Sequence, residues 1–136
     1  MVRNTDKGTV LQFPWSIGRT YREFGTTEVR DHFLAAIQDL TGQQVFADLP
    51  EQVEMIVSRD EQGFVIHLIN QSGARRKSFG PHIPITGGRI RIAGAGRAQP
   101  ELLVSKDKGR TGQQSGDLTV DLPALELFEV VRVAAP

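Results

Sequence analysis

Gly63-Phe64-Val65-Ile66-His67-Leu68-Ile69-Asn70 is the most apolar stretch of the chain, and its reading decides the fold. Five of the six residues from Phe64 to Ile69 are large and apolar, and three of those five are β-branched. That length and composition predict a strand covered on both faces rather than a surface helix. Just before it, Val53–Arg59 alternates Val53, Met55 and Val57 against Glu54 and Ser58, with Ile56 interrupting the polar face. Asp60-Glu61-Gln62-Gly63 reads as a turn in which Gly supplies a positive φ, so the two runs form a hairpin. Ser72-Gly73 ends the central strand, and Asn70 is placed to bond the backbone of that turn.

Further short strands follow. Arg89–Ile92 alternates Arg with Ile, as a strand with one face on a core does. Leu102–Val104, Leu118–Val120 and Leu127–Val133 complete the set. Between them, Ala74–His82 reads as a basic loop carrying Arg75-Arg76-Lys77. Gly94 through Pro100 and Leu122-Pro123-Ala124 read as turns, and Lys106–Gly116 as a mobile hairpin loop. This spacing predicts a mainly β fold, an Ig-like antiparallel β-sandwich of about seven strands.

Upstream of the sandwich the pattern changes. Met1–Gly8 is polar and expected to be loose, and Thr9–Phe13 reads as a short strand stopped by Pro14. Val29, Phe33, Ile37 and Leu40 recur at helical spacing beside Ala36, with Arg30, Asp31, Gln38 and Asp39 on the other side. A helix is therefore expected over roughly Thr27 to Thr41, capped by Thr26 or Thr27, with Glu28 in its first turn and Gly42 at its end. The composition shift at Ala47-Asp48-Leu49-Pro50 marks a junction. It separates a strand-helix segment, 1–48, from a β-sandwich domain, 49–136.

Bulk composition narrows the function classes. The chain has 136 residues, 39% hydrophobic and 24% charged, which is ordinary for a globular protein. Its formal net charge is zero, so bulk electrostatics favour neither nucleic acid nor an anionic membrane. Arg75 to Arg110 holds nine Lys/Arg against Glu101 and Asp107, while the segments around it are acidic. Strands and loops of opposite charge packed side by side account for that pattern. Only Phe79 could stack on a base within the basic span, which argues against a nucleic-acid face. With no cysteine, disulfides, thiolate nucleophiles and Cys-based zinc sites are excluded. No signal segment opens the chain and no apolar run approaches ~18 residues, so the expected location is cytoplasmic.

No motif carries catalytic chemistry. His32, His67 and His82 are the only histidines, and no HxH or HExxH spacing occurs. His67 is expected to be a partly buried strand residue, with His32 and His82 solvated or structural. Gly94-Ala95-Gly96 lacks the third glycine of a dinucleotide fingerprint, Gly109-Arg110-Thr111-Gly112 lacks the Lys-Ser/Thr of a phosphate loop, and no GxSxG is present. No pair of carboxylates stands out for two-carboxylate hydrolysis. No cofactor is expected.

Two stretches together carry a family resemblance. Thr9–Leu40 (TVLQFPWSIGRTYREFGTTEVRDHFLAAIQDL) resembles the closing strand and helix of the trimerisation domain in bacterial β-galactosidase-like glycoside hydrolases. Pro50, Val53–Val57, His67-Leu68-Ile69-Asn70, Pro81–Ile85 and Leu122–Val133 are similar to the small β domain that ends such chains. The resemblance implies a non-catalytic accessory C-terminal domain acting in domain packing or oligomerisation. The catalytic barrel and its two glutamates have no counterpart, so no catalytic residue carries over. The apolar residues of the first segment would then form a partner-packing face: Val10, Phe13, Trp15, Tyr21, Val29, Phe33, Ile37 and Leu40. The expected partner is a second copy of the chain or a catalytic domain, with no nucleic acid and no membrane. A carbohydrate-binding module is the alternative, with carbohydrate as the partner.

Overall fold

The computed structural model describes residues 2–42, 44–75, 78–106 and 109–134. The chain forms two compact units, Met1–Gln43 and Gln44–Pro136. In the first unit β1 (Val2–Thr5) and β2 (Gly8–Leu11) form an antiparallel hairpin, with Thr5 opposite Gly8. The Thr5 hydroxyl donates to the Gly8 carbonyl at 2.8 Å, and the Thr9 hydroxyl to Asn4 Oδ1 at 3.1 Å. The N-terminal residues expected to be loose are thus paired, because the two-residue turn at Asp6-Lys7 brings β1 back alongside β2.

Two helices follow, one more than the sequence reading anticipates. α1 (Ile17–Phe24) places Ile17, Tyr21 and Phe24 at helical spacing, but Gly18 in its first turn lowers helix propensity and masks that pattern. Arg19 and Glu23 pair at 2.8 Å one turn apart, and the N–H of left-handed Gly25 donates to the Tyr21 carbonyl at 2.7 Å. α2 (Thr27–Thr41) has the anticipated bounds. Thr26 takes the extended N-cap backbone but makes no side-chain cap bond, and Gly42 ends the helix at φ 58°. Among the described residues, no helix is long and apolar enough to cross a membrane.

The second unit contains β3 (Val45–Asp48), β4 (Val53–Asp60), β5 (Gly63–Asn70), β6 (Ala74–Arg75), β7 (Ser78–Phe79), β8 (Arg89–Ile92), β9 (Pro100–Leu102), β10 (Arg110–Gln114), β11 (Asp117–Asp121) and β12 (Phe128–Ala134). Eight of these form two four-stranded antiparallel sheets, in the orders β10-β11-β8-β3 and β4-β5-β12-β9. β6 and β7 make a small separate hairpin. The hairpin read from the sequence is β4-β5. Its turn is Glu61-Gln62, Gly63 has φ 136°, and the Asp60 carboxylate accepts the Gln62 N–H at 2.8 Å.

Alternation builds the sandwich core. Phe64, Ile66 and Leu68 of β5 and Val131 and Val133 of β12 meet Ile90 and Ile92 of β8 and Leu118 and Val120 of β11. Ile66, Leu68, Ile90, Ile92, Leu118, Val120, Val131 and Val133 are fully buried, each contributing roughly 1.5–3 kcal/mol. β5 is central in its sheet, flanked by β4 and β12, but only one of its faces is fully buried: Val65, His67 and Ile69 on the other are half-buried, a correction to the expected cover on both faces.

Several expectations are corrected. Arg110–Gln114, read as part of a mobile loop, pairs along its whole length with β11 and raises the strand number to eight in the two sheets. Leu102 ends a strand that begins at Pro100, and Leu103, Val104 and Ser105 form a turn rather than a strand. Val45–Asp48, placed by the sequence reading before the junction, pairs with β8 in the second unit. The strand order also departs from the Ig constant arrangement, where the second and third strands sit in different sheets, since here β4 and β5 are neighbours in one. Arg76, Lys77 and Lys108 of the basic stretch lie outside the described residues, as do the side chains of Arg75 and Asp39.

Asn70 joins β5 to two distant segments. Its amide nitrogen donates to the carbonyls of Ile83 at 2.8 Å, Glu126 at 2.7 Å and Leu125 at 3.2 Å, and its Oδ1 accepts the Ser72 N–H at 3.0 Å. The Ser72 hydroxyl in turn accepts the Ile83 N–H at 2.8 Å. Asn70 is buried, and removing its amide takes a donor from all three carbonyls, although Leu125 keeps the Ile85 N–H and Ile83 keeps the Ser72 hydroxyl. Asn70→Ala is expected to cost about 3 kcal/mol, read as a lower midpoint in urea denaturation. Asn70→Asp, which sets a carboxylate against the same carbonyls, should cost at least as much, and wild-type stability in either variant would contradict this role.

Candidate functional site

The eight residues expected to form a partner-packing face all belong to the first unit, on β2, α1, α2 and the segment between β2 and α1. Among the described hydrophobic residues of that unit only Ile17 is buried. Val10, Trp15, Tyr21 and Leu40 are exposed at 53%, 48%, 43% and 40%. Phe13, Val29, Phe33 and Ile37 are half-buried. A unit of this size has little core to draw on, and units below ~40 residues usually need another support.

The structure brings some of the eight together. Phe13 is the hub of a ring cluster, 6.1 Å from Trp15 and 5.9 Å from Phe33. His32 completes it, 6.0 Å from Phe13 and stacked on Trp15 with centroids 6.4 Å apart and planes at 19°. These edge and stacked geometries are the ones favoured by ring quadrupoles. Pro14 separates Phe13 and Trp15, and His32 and Phe33 are successive residues of α2 whose rings each reach Phe13. Tyr21 stands outside the cluster. The sequence reading missed Phe24, the most exposed aromatic of the unit at 71%, and Leu34 at 45%. The Ile17, Tyr21, Phe24 spacing was the signal that could have found Phe24.

In the second unit, most polar groups that could suggest chemistry are committed to structure, the His67 imidazole excepted. His67 is half-buried on the outer face of its sheet, opposite Ile56 and Val130, its backbone in the ladder and its imidazole without a hydrogen bond among the described residues. His82 lies 3.6 Å from Glu126. Arg89 pairs with Asp121 and Arg91 with Asp117, each at 2.6 Å, and the Arg91 guanidinium lies 4.0 Å from the centre of the Phe46 ring. The Asp117 carboxyl is held below its ordinary pKa, chiefly by the Gly94 N–H and then by Arg91. Among the described residues, no group of three His, Asp or Glu side chains is placed to hold a metal ion.

Glu129 is the buried carboxylate, and the sequence offered no sign of it. It sits on the core side of β12, opposite Leu68, beside a cavity of about 90 Å³ lined by Leu68, Leu122, Pro123, Leu125 and Phe128. Its Oε1 accepts N–H groups from Val104 at 2.9 Å and Val130 at 2.8 Å, and its Oε2 accepts that of Ser105 at 3.0 Å. Burial is the largest influence on its pKa and pushes it up. The Ser105 hydroxyl and the three N–H groups together outweigh burial and hold the carboxyl below its ordinary value. With its oxygens so engaged, Glu129 anchors a turn rather than moving protons.

No family model matches the chain, and no curated protein matches it in sequence. Its fold is similar to a region of alpha-L-fucosidase isoenzyme 2 from Paenibacillus thiaminolyticus, with a TM-score of 0.71 and 18% sequence identity. The match takes in 98% of this chain and 21% of that one, so the chain spans about a fifth of the fucosidase's length. At this identity the likeness is one of fold.

The Glu129 anchor sets an acid sensitivity. Its folded-state pKa lies below the unfolded value of about 4.3, so its contribution is complete above that value and is lost as pH falls through the folded pKa. Glu129→Gln is expected to cost about 2 kcal/mol at pH 7 and to flatten the fall in stability below pH ~4. Urea titrations across that range check both, and an unchanged acid limb would contradict the assignment.

Proposed function

We propose that this chain is a non-catalytic accessory region of a glycoside-hydrolase-type protein, and that its first unit packs against a catalytic domain or a second copy. The observation that carries this reading is the under-buried first unit, whose ring cluster and two helices keep most of their apolar side chains half or fully exposed. The fold likeness to a fifth of a much larger fucosidase supports the same view. So does the resemblance of Thr9–Leu40 and Pro50–Val133 to the end of β-galactosidase-like chains, which would make the missing cover the rest of a trimerisation domain. Exposed apolar surface of this kind marks an interaction site.

Exposed Trp15 favours a second reading, in which the ring cluster stacks on a sugar. Calorimetric titration with fucose and galactose oligosaccharides separates the two, since binding lost in Trp15→Ala would favour the sugar site.

Sedimentation velocity should show the chain associating as its concentration rises. Phe24→Glu combined with Leu34→Glu, both at exposed positions, should reduce that association with the helical circular dichroism intact. A 15.0 kDa monomer at every concentration, with both helices fully protected against amide exchange, would contradict the packing role. Purified chain should release no chromophore from 4-nitrophenyl α-L-fucoside or β-galactoside. Turnover by the isolated chain would contradict its non-catalytic assignment.

A further inference from the structure

The two four-stranded sheets have four edge strands, and these differ in how well they are guarded. β9 has three residues and begins with Pro100, β3 has four, and β10 has five. β4 runs for eight residues with no proline, and its register with β5 continues without a bulge from Val53 to Asp60. Its charges, Glu54, Arg59 and Asp60, lie towards its ends and leave Met55-Ile56-Val57-Ser58 uncharged. Ile56 and Val57 are exposed at 45% and 40%. Edges are normally blunted by lysine, proline, a bulge or a covering segment. This one has none of the first three, and among the described residues of the second unit no segment covers Ile56 and Val57.

The ladder tells which groups the edge offers. Asp60 and Gly63 close a two-residue turn, and the Gln71 N–H donates to the Gln52 carbonyl at 2.8 Å, so the even-numbered residues of β4 bond to β5. Met55, Val57 and Arg59 therefore turn their N–H and C=O groups outward. Among the described residues these groups have no partner.

We propose that β4 pairs antiparallel with β4 of a second copy, about a two-fold axis at Ile56. An axis perpendicular to the sheet keeps core face beside core face, so odd residues pair with odd and even with even. Centring on Val57 would set Glu54 against Asp60 twice, like charges in direct opposition. Centring on Met55 would place Glu54 against Ile56 and leave Arg59 and Asp60 beyond the partner strand. Centring on Ile56 pairs Met55 with Val57, Glu54 with Ser58 and Val53 with Arg59, and brings no like charges together. The Met55–Val57 pairs then exchange hydrogen bonds, and Ile56 meets Ile56 of the second copy at a non-hydrogen-bonded position, with Cα atoms about 4.5 Å apart. The row Ile56-His67-Val130 on the outer face becomes continuous across the axis. The two sheets join into one of eight strands, and the isologous contact closes on itself as a dimer.

The absence of cysteine makes the register directly readable. Ile56→Cys should form a disulfide-linked dimer of about twice 15.0 kDa on mild oxidation of dilute protein. Glu54→Cys and Ser58→Cys should each remain uncross-linked alone and cross-link when mixed. Val57→Pro removes an outward N–H and spares the β4–β5 ladder. Added to Ile56→Cys, it should abolish cross-linking without changing the circular dichroism. Cross-linking of Ile56→Cys no faster than that of Glu101→Cys, an exposed control on β9, would overturn the proposal. So would equal cross-linking by Glu54→Cys alone. Association abolished by Phe24→Glu with Leu34→Glu while Ile56→Cys stays uncross-linked would overturn the β4 pairing and leave the N-terminal packing face standing.

Discussion

The sandwich depends on the side-chain amide of Asn70. A strand with one face in the core has to end somewhere, and the chain around its end carries partly buried carbonyls that need donors. One amide group serves Ile83, Leu125 and Glu126, which come from two loops far apart in sequence. Ile85 and Leu125 then bond to each other in both directions, at 3.1 and 2.8 Å. Local strand propensity brings β5 and β12 together, but the amide at the end of β5 decides how the two loops beside them are held. Its oxygen meanwhile accepts the Ser72 N–H and turns the chain out of the sheet.

How much of this was legible in the sequence follows from the range of the forces involved. The β4-β5 hairpin, β8, β11 and the 15-residue helix α2 were readable because each rests on local periodicity and on a glycine or proline at its end. β10 was not, because Arg110-Thr111-Gly112-Gln113-Gln114 has no apolar face. It is a strand only because β11 offers it a ladder. β1 has the same origin, and α1 was hidden by a glycine in its first turn. The turn-forming role of Asn70 was visible, since an Asx bond spans two residues, whereas its three long-range carbonyl partners were not. Glu129 was invisible for the same reason: apart from the adjacent Val130 N–H, its donors lie 24 and 25 residues away.

The two units differ in how complete they are. The second has fully buried side chains from both sheets and the salt bridges of a finished surface, with Arg89 and Arg91 answered by Asp121 and Asp117. That pairing absorbs two of the arginines in what reads from sequence as a basic stretch. The first unit has clustered rings without a core beneath them. A finished core and an apolar surface left half or fully exposed thus stand in one chain.

The Glu129 anchor has a consequence for how the sheet can be misassembled. β12 offers the core only Val131, Val133 and the carbon chain of Glu129, and valines two residues apart are nearly interchangeable. Slipping β12 by two residues against β5 would keep every side chain on its proper face, so hydrophobic pattern alone does little to forbid it. The same slip carries the carboxylate about 6.5 Å from the Val104 and Ser105 amides and strands a charge in the interior. A single acid on an apolar strand thereby acts as a ruler, distinguishing the native alignment from one that greasy side chains would accept.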